Sequence, residues 1–330
     1  VGTCFPVIFM LVSLFMGIGI GASVMVSQYF GAKDYENIQK TVSTIYTATV
    51  VGCIPLSVIG ALLSRPLLQL MQVPDDGTLE MADLYMIVIF IGIIGTLGFN
   101  INAGILQGLG DSRTSLFFLM IATVINIILD LVFTLVLQMG TLGVALATII
   151  AQACSWIFGI YFINRHFSFL RISPLSFHFD RDIFAKAMKL GIPSGIQQAL
   201  FSIGIMAMQS LVNSYGSNFM AGFNGANKLD SFAFMPIQSF ATAVTTYTGQ
   251  NIGANKIGRV KSGVRAGVIL SVGFSIVVAV IVYPLSGVLM QMFNRNPEVI
   301  ASGVSYLHCV LPFYSILAMM FLFNSVQMGA

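Results

Sequence analysis

The sequence predicts an all-α integral membrane protein built from two pseudo-symmetric helical bundles, which are parallel six-helix repeats. Only 8% of the 330 residues are charged while 57% are hydrophobic, which is too few charges for a water-facing surface. The apolar residues form nine stretches that are long enough to cross a bilayer. A motif near the start of the chain also recurs in its second half.

The nine stretches predict transmembrane helices because a bilayer core about 30 Å thick needs about 20 mostly apolar residues per helix. Turn-forming residues, such as those at 74–77, separate them. The predicted spans are approximately 5–30, 41–63, 81–106, 115–138, 142–163, 185–213, 219–248, 263–292 and 300–328.

The distribution of Lys and Arg predicts the orientation of these spans. Twelve basic residues fall in the connections on one side and two on the other. The basic side is cytoplasmic by the positive-inside rule, so the polar loop 164–184 is expected in the cytoplasm. The protein is therefore expected to be a multi-pass protein of the cytoplasmic (plasma) membrane.

An internal repeat indicates two halves of the same orientation. Gln28-Tyr29-Phe30-Gly31-Ala32-Lys33 recurs as Gln250-Asn251-Ile252-Gly253-Ala254-Asn255, and Tyr85 lies near the position that matches Tyr306. The period is about 222 residues and contains six spans, as in transporters made of two parallel halves.

The repeat predicts that nine of twelve transmembrane helices are present. Residues 1–163 form an amino-terminal bundle that lacks its first helix, and residues 185–330 form a carboxyl-terminal bundle that lacks its last two. The cytoplasmic loop 164–184 joins and hinges the two bundles.

Four motifs in this order resemble the multidrug and toxic compound extrusion (MATE) family. They are the repeated Gln-x-x-Gly-Ala segment, Gln107-Gly108-Leu109-Gly110-Asp111, Asn126-Ile127-Ile128-Leu129-Asp130, and Gly191-Ile192-Pro193. The resemblance implies an antiporter that exports small organic cationic or amphipathic compounds in exchange for Na+ or H+, with no other cofactor. A flippase for lipid-linked saccharides on the same fold is the alternative.

Polar groups inside the spans are the candidates for coupling, since they are costly in lipid. Asn126 and Asp130 share one helix face. Counted at ~1.5 Å per residue, Asp130 lies ~12 Å deep, Thr148 ~10 Å and Tyr85 ~7 Å. The cluster is either a hydrogen-bonded packing motif or a cation or proton site. The resemblance favours the second reading, because these four residues match the amino-terminal cation site of one MATE branch.

A second set of polar residues lies in the later spans. Lys228 and Asp230 are two residues apart and point to different faces, so each either pairs with another helix or lines a hydrated cavity. The cavity candidates are Lys228, Asp230, Asn224, Gln197 and Gln198.

Composition and motifs also set the expected partners. The net charge of +3 is small, so nucleic acid is not an expected partner. The four cysteines and three histidines are scattered, which predicts no metal site beyond Na+. No catalytic constellation is visible, so the protein is not expected to be an enzyme. We expect a monomer in the lipid bilayer.

Overall fold

The computed structural model describes residues 5–70, 77–173 and 178–330, and within these ranges the chain is helical with no strand. Two short helical segments of other types are also present: a π-helical turn, Val132–Val136, and a 3₁₀ turn, Leu311–Phe313. The first follows α5 and the second joins α10 to α11 in the order given next. The helices are α1 Phe5–Ala32, α2 Tyr35–Leu70, α3 Thr78–Ile91, α4 Ile93–Gly108, α5 Ser112–Leu131, α6 Gly140–His166, α7 Arg181–Ser214, α8 Ser217–Gly253, α9 Ile257–Gln291, α10 Pro297–Val310 and α11 Tyr314–Gly329.

All nine predicted spans fall on helices, but two differ from the prediction. The span at 81–106 is broken into α3 and α4, which are bent by 53° at Gly92. Seven helices, or eight spans if the bent pair counts as one, are long and apolar enough to cross a membrane. The span at 219–248 lies in α8, which is 37 residues long but is not one of them. Polar residues such as Asn224, Lys228 and Asp230 lower its hydropathy.

The repeat is confirmed in the backbone. After α1, Lys33 is in the left-handed region with φ 60°, and after α8 the equivalent Asn255 has φ 55°. Asp34 N–H donates to the Tyr29 carbonyl at 2.9 Å, and Lys256 N–H donates to the Asn251 carbonyl at 2.8 Å. Both helices therefore end in the same Schellman motif, 222 residues apart.

The chain divides into two compact units, residues 1–202 and 203–330. The prediction placed the boundary at the 164–184 loop, whereas the contacts divide within α7. The reason is that the first half of α7 packs on α1 without intervening side chains: a Cβ on Gly17 would collide with the Gly191 carbonyl oxygen, and a Cβ on Gly21 would lie 2.5 Å from the Ala187 carbonyl oxygen.

The described parts of the 164–184 loop are fastened to the first unit. Gln39 of α2 donates to the Arg171 carbonyl and accepts from its N–H, both at 2.7 Å. Asn164 of α6 makes the same two-way pair with Ile172, at 2.8 and 2.6 Å. The Asp180 N–H donates to Thr44. The described segments 164–173 and 178–180 are therefore both tied to helices of one bundle.

Candidate functional site

The antiparallel pair α5 and α6 carries most of the predicted cation site. At one end Ser155 Oγ donates to the Phe118 carbonyl at 3.1 Å. At the other end a Cβ on Gly143 would lie 2.8 Å from the Cβ of Phe133. Asn126 follows Phe118 by eight residues and Thr148 precedes Ser155 by seven, so these two side chains lie level along the pair.

Asn126 and Asp130 each carry a buried polar atom that has no hydrogen-bond partner in the described part of the chain. The atoms are Nδ2 of Asn126 and Oδ1 of Asp130. Thr148 donates its hydroxyl to the Val144 carbonyl at 2.9 Å, so its oxygen lone pairs are left to accept. Buried polar groups are nearly always hydrogen-bonded, which makes unpartnered atoms one helical turn apart a feature that calls for a ligand.

Gln152 is a member of this group that the sequence reasoning missed. Its Oε1 is also buried without a partner among the described residues, and it lies one turn beyond Thr148 on α6. The same four-residue spacing that linked Asn126 to Asp130 could have found it. A neutral amide inside a span attracts less attention than a carboxylate, although its oxygen is an equally suitable cation ligand.

Tyr85 approaches the same section of α6 from a different helix. α3 and α4 run beside α6, with Gly92 against Ile149 and Gly95 against Ala153. Tyr85 precedes Gly92 by seven residues and is buried in one cluster with Ala145. The structure thus brings Asn126, Thr148 and Asp130 onto one helix pair and places Tyr85 beside the first turns of α6.

In the second unit Asp230 of α8 accepts two hydrogen bonds from tyrosines. Tyr306 of α10 donates to Oδ2 at 2.8 Å, and Tyr314 of α11 donates to Oδ1. In the sequence Tyr306 stands out only because Tyr85 lies near the position that matches it, and Tyr314 carries no signal. These tyrosines reach Asp230 because three helices pack together, and no local sequence pattern indicates that packing.

Lys228 does not pair with Asp230. Its Nζ lies 5.8 Å from the centre of the Phe293 ring, and the ion pair found within the described ranges is Lys40–Glu36. Of the two alternatives for Lys228 and Asp230, an ion pair with another helix is thus not formed within the described ranges. Asn224, one turn before Lys228, is exposed.

Gln197 and Gln198 lie on α7, in the part that belongs to the first unit. Gln197 is exposed and Gln198 is partly buried. The structure therefore divides the five cavity candidates between the two units. In the ranges described, no three His, Cys, Asp or Glu side chains are grouped so that they could hold a metal ion.

The long apolar helices, the duplicated bundle and the polar groups inside it define a multi-pass membrane protein with the architecture of a two-bundle transporter. The MatE family model matches residues 1–132 and 193–330, and the chain belongs to this family of membrane transporters.

Curated relatives agree with this assignment. The probable multidrug resistance protein YpnP of Bacillus subtilis is 30% identical over 328 residues, which is 98% of this chain and 72% of YpnP. YoeA of the same organism, also named a probable multidrug resistance protein, is 30% identical over 310 residues, which is 90% of this chain and 66% of YoeA. The chain therefore spans about two thirds of the length of these relatives.

Solved structures share the fold. A multidrug resistance MATE family transporter in an outward-facing conformation covers 99% of this chain, and the match covers 73% of that transporter, with a TM-score of 0.87 and 21% identity. A MOP superfamily transporter from Pyrococcus furiosus gives a TM-score of 0.91 at 22% identity, covering 100% of this chain and 74% of its own.

Proposed function

We propose that this protein exports small organic cationic or amphipathic compounds from the cell in exchange for Na+ or H+, and that Asp130 carries the exchangeable charge. Membership of the MatE family and relatives named for multidrug resistance support export. The proposed working form is a monomer in the cytoplasmic membrane, with the two bundles alternating between inward and outward access.

The observation that carries the coupling proposal is the set of unpartnered atoms on α5 and α6. Asn126 Nδ2, Asp130 Oδ1 and Gln152 Oε1 are buried with no partner within the described ranges. Leaving such groups unpaired costs roughly 1–3 kcal/mol each. A cation near Asp130 would offset that cost for the oxygens of Asp130 and Gln152, with Asn126 Oδ1 and Thr148 as further neutral oxygen ligands and Tyr85 as a nearby hydroxyl. Asn126 Nδ2 is a donor and would not contact the cation.

Coupling requires more than binding. A cation and a cationic substrate that compete for one carboxylate are not bound together, so the entry of one releases the other. Exchange follows only if the bound cation favours one conformation of the bundle, because equal affinity for both conformations shifts no population. Asp130 meets the first condition through its charge and its place on an interhelical face.

Efflux driven by an imposed gradient tests this proposal. The full-length protein carrying Asp130→Asn keeps the side-chain shape and loses the charge, so we expect no gradient-driven efflux of a cationic dye. Asp83→Asn is the matched control, because Asp83 accepts from Ser64 and lies outside the proposed site, and it should export normally. Imposing a Na+ or a pH gradient separately identifies the ion. Wild-type efflux by Asp130→Asn would show that Asp130 is a packing residue.

Lys228 is the observation that would favour a flippase for lipid-linked saccharides, whose substrates carry phosphate. Its ammonium group lies over Phe293, and a flippase site would need several basic side chains to bind phosphate. Lys228→Met should leave dye efflux in place if the protein is an exporter. Loss of lipid-linked saccharide translocation in that variant, with no dye efflux by the wild type, would favour the flippase.

A further inference from the structure

Asp230 joins three helix segments of the second unit through its two carboxylate oxygens. Tyr306 belongs to α10 and Tyr314 is the first residue of α11, and the 3₁₀ turn Leu311–Phe313 separates these helices. One oxygen of Asp230 accepts from each tyrosine. The carboxylate on α8 therefore holds the two sides of a helix break together. We call Asp230, Tyr306 and Tyr314 the carboxylate clasp.

The helix break of the first unit, between α3 and α4, is bent by 53° at Gly92. Tyr85, which lies one residue from the position that matches Tyr306, precedes this bend by seven residues. The position on α1 that is equivalent to Asp230 is Ile8. In the second unit Pro297–Gly329 counts as one continuous span. The clasped break is therefore the straighter of the two.

The charge of Asp230 lacks a neighbouring counter-ion within the described residues. On its own helix Lys228 lies over Phe293. On α9 and α10 the titratable Tyr283 and His308 stack on each other at 3.9 Å, and His308 Nε2 lies 2.9 Å from Ser286 Oγ. On α10 and α11 the groups at Asp230 are the neutral phenols of the clasp. An uncompensated carboxylate among the helices of a membrane protein marks a place for an exchangeable cation.

The surroundings of Asp230 suit a proton better than a metal cation. Hard metal cations need several oxygen ligands, whereas Ala226 and Ala233, one turn to either side of Asp230, are buried in an apolar cluster with Leu307 and Leu311. Both phenols direct their O–H groups at the carboxylate, which opposes a second positive centre there. A proton needs only one oxygen.

We infer that the carboxylate clasp is a proton-binding site of the second unit, and that binding of a proton lets α10 and α11 bend at residues 311–313. The incoming proton forms an O–H bond with one carboxylate oxygen. That oxygen becomes a donor, and the negative charge that strengthened both phenol hydrogen bonds is lost. The phenol that had donated to it must turn to accept instead, so the clasp weakens and holds the break to α8 less firmly.

Distance measurements between spin labels on the two sides of the break test this inference. Ala301 on α10 and Gln327 on α11 are exposed and would carry the labels in full-length protein whose native cysteines are replaced by alanine. At ~1.5 Å rise per residue, a bend like that of the first unit shortens the separation by roughly 4 Å. We expect this shortening on acidification in Na+-free buffer, and no shortening when Na+ is added at alkaline pH.

Variants of the clasp make the test specific. Asp230→Asn imitates the protonated acid and should give the short distance at every pH, while Asp83→Asn should respond to pH like the wild type. Tyr314→Phe, which removes one of the two hydrogen bonds of the clasp, should give the short distance at every pH and serves if Asp230→Asn does not fold. A pH response that survives in these variants, a wild-type distance that ignores pH, or a response to Na+ alone would overturn the inference. The measured distance does not depend on transport, so this result is independent of whether Asp130 carries the exchangeable charge.

Discussion

Tyr85 in the first unit lies one residue from the position that matches Tyr306 in the second, yet the two tyrosines have different surroundings. Tyr85 is buried in an apolar cluster near α6, while Tyr306 donates to a carboxylate. The ionisable side chains also lie on helices that the repeat does not match, Asp130 on α5 and Asp230 on α8. The two units thus carry two types of polar site.

The two sites differ in how completely their polar atoms are paired. Around Asp130, three buried atoms on α5 and α6 have no partner in the part of the chain described, whereas both oxygens of Asp230 accept from tyrosines. A site with unpaired atoms is prepared for a ligand from outside the protein. In a site whose polar atoms bond to each other, a change in the charge of the carboxylate alters the hydrogen bonds that hold its helices together.

The largest expected effect concerns the helix break of the first unit. A Cβ on Gly92 would lie 2.5 Å from Ile149 Cγ2, so Gly92→Ala overpacks the contact and should destabilise the protein by about 1–3 kcal/mol. Shortening the opposing side chain with Ile149→Ala should recover part of this loss. Thermal unfolding of both single variants and the double variant measures the coupling. Strict additivity would show that Gly92 is needed for its backbone rather than for this contact.

A smaller effect is expected from removing an unpaired atom. Asn126→Leu replaces a buried amide with an apolar group of similar size, so it should stabilise the cation-free protein by about 1 kcal/mol. The same variant should lose any rise in melting temperature that Na+ or acid gives the wild type. If Asn126→Leu instead destabilises the protein and keeps that rise, the Asn126 amide is a structural group and not a ligand.

The smallest effect compares the matching turns after α1 and α8. A left-handed conformation costs an ordinary residue about 1 kcal/mol, while Asn tolerates it better and Gly bears no such cost. Lys33→Gly should therefore stabilise by about 1 kcal/mol and Asn255→Gly by only about 0.3 kcal/mol. Equal gains in melting temperature would show that the left-handed conformation costs Lys33 no more than it costs Asn255.

Acid should weaken the first of these turns more than the second. The pKa of Asp34 is lowered by the hydrogen bond from the Asn37 side chain and, to a smaller extent, by the one from the Asn37 backbone N–H. The residue at the matching position of the second turn is Lys256, which has no carboxyl group. A depressed carboxyl pKa gives stability above the unfolded-state value, and this stability is lost as pH falls through the folded-state value. Asp34 Oδ1 accepts from Asn37 N–H in the first turn of α2, so the hydrogen-exchange protection factors there should fall at low pH, in wild type but not in Asp34→Asn.

Hydropathy and the repeat were sufficient to predict the helices and the two related halves, because a lipid-exposed span must be apolar along its whole length. The break at Gly92 escaped this reasoning since the apolar run continues through it. The attachment of the 164–184 loop also escaped it, because Gln39 and Arg171 are 132 residues apart. The chain divides in α7 rather than at the loop for a similar reason, namely the close approach of Gly17 to Gly191.

The candidate sites were also predictable only in part. Spacing along one helix was enough to pair Asn126 with Asp130, and span depth was enough to add Thr148 and Tyr85. Two facts needed the structure. The first is that the polar atoms of Asn126 and Asp130 remain unpaired, and the second is that Asp230 reaches Tyr306 and Tyr314. Both depend on the rotation of neighbouring helices about their axes, which sequence periodicity does not define.

Cation release on substrate binding tests the assignment of the exchangeable charge most directly. Purified full-length protein would be mixed with a cationic dye, while a pH indicator and a Na+ tracer report what leaves the protein. We expect the wild type to release H+ or Na+ as the dye binds, Asp130→Asn to release neither, and Asp230→Asn still to release the coupling ion. Release from Asp130→Asn that equals the wild type, with loss of release in Asp230→Asn, would contradict the account and move the exchangeable charge to the second unit.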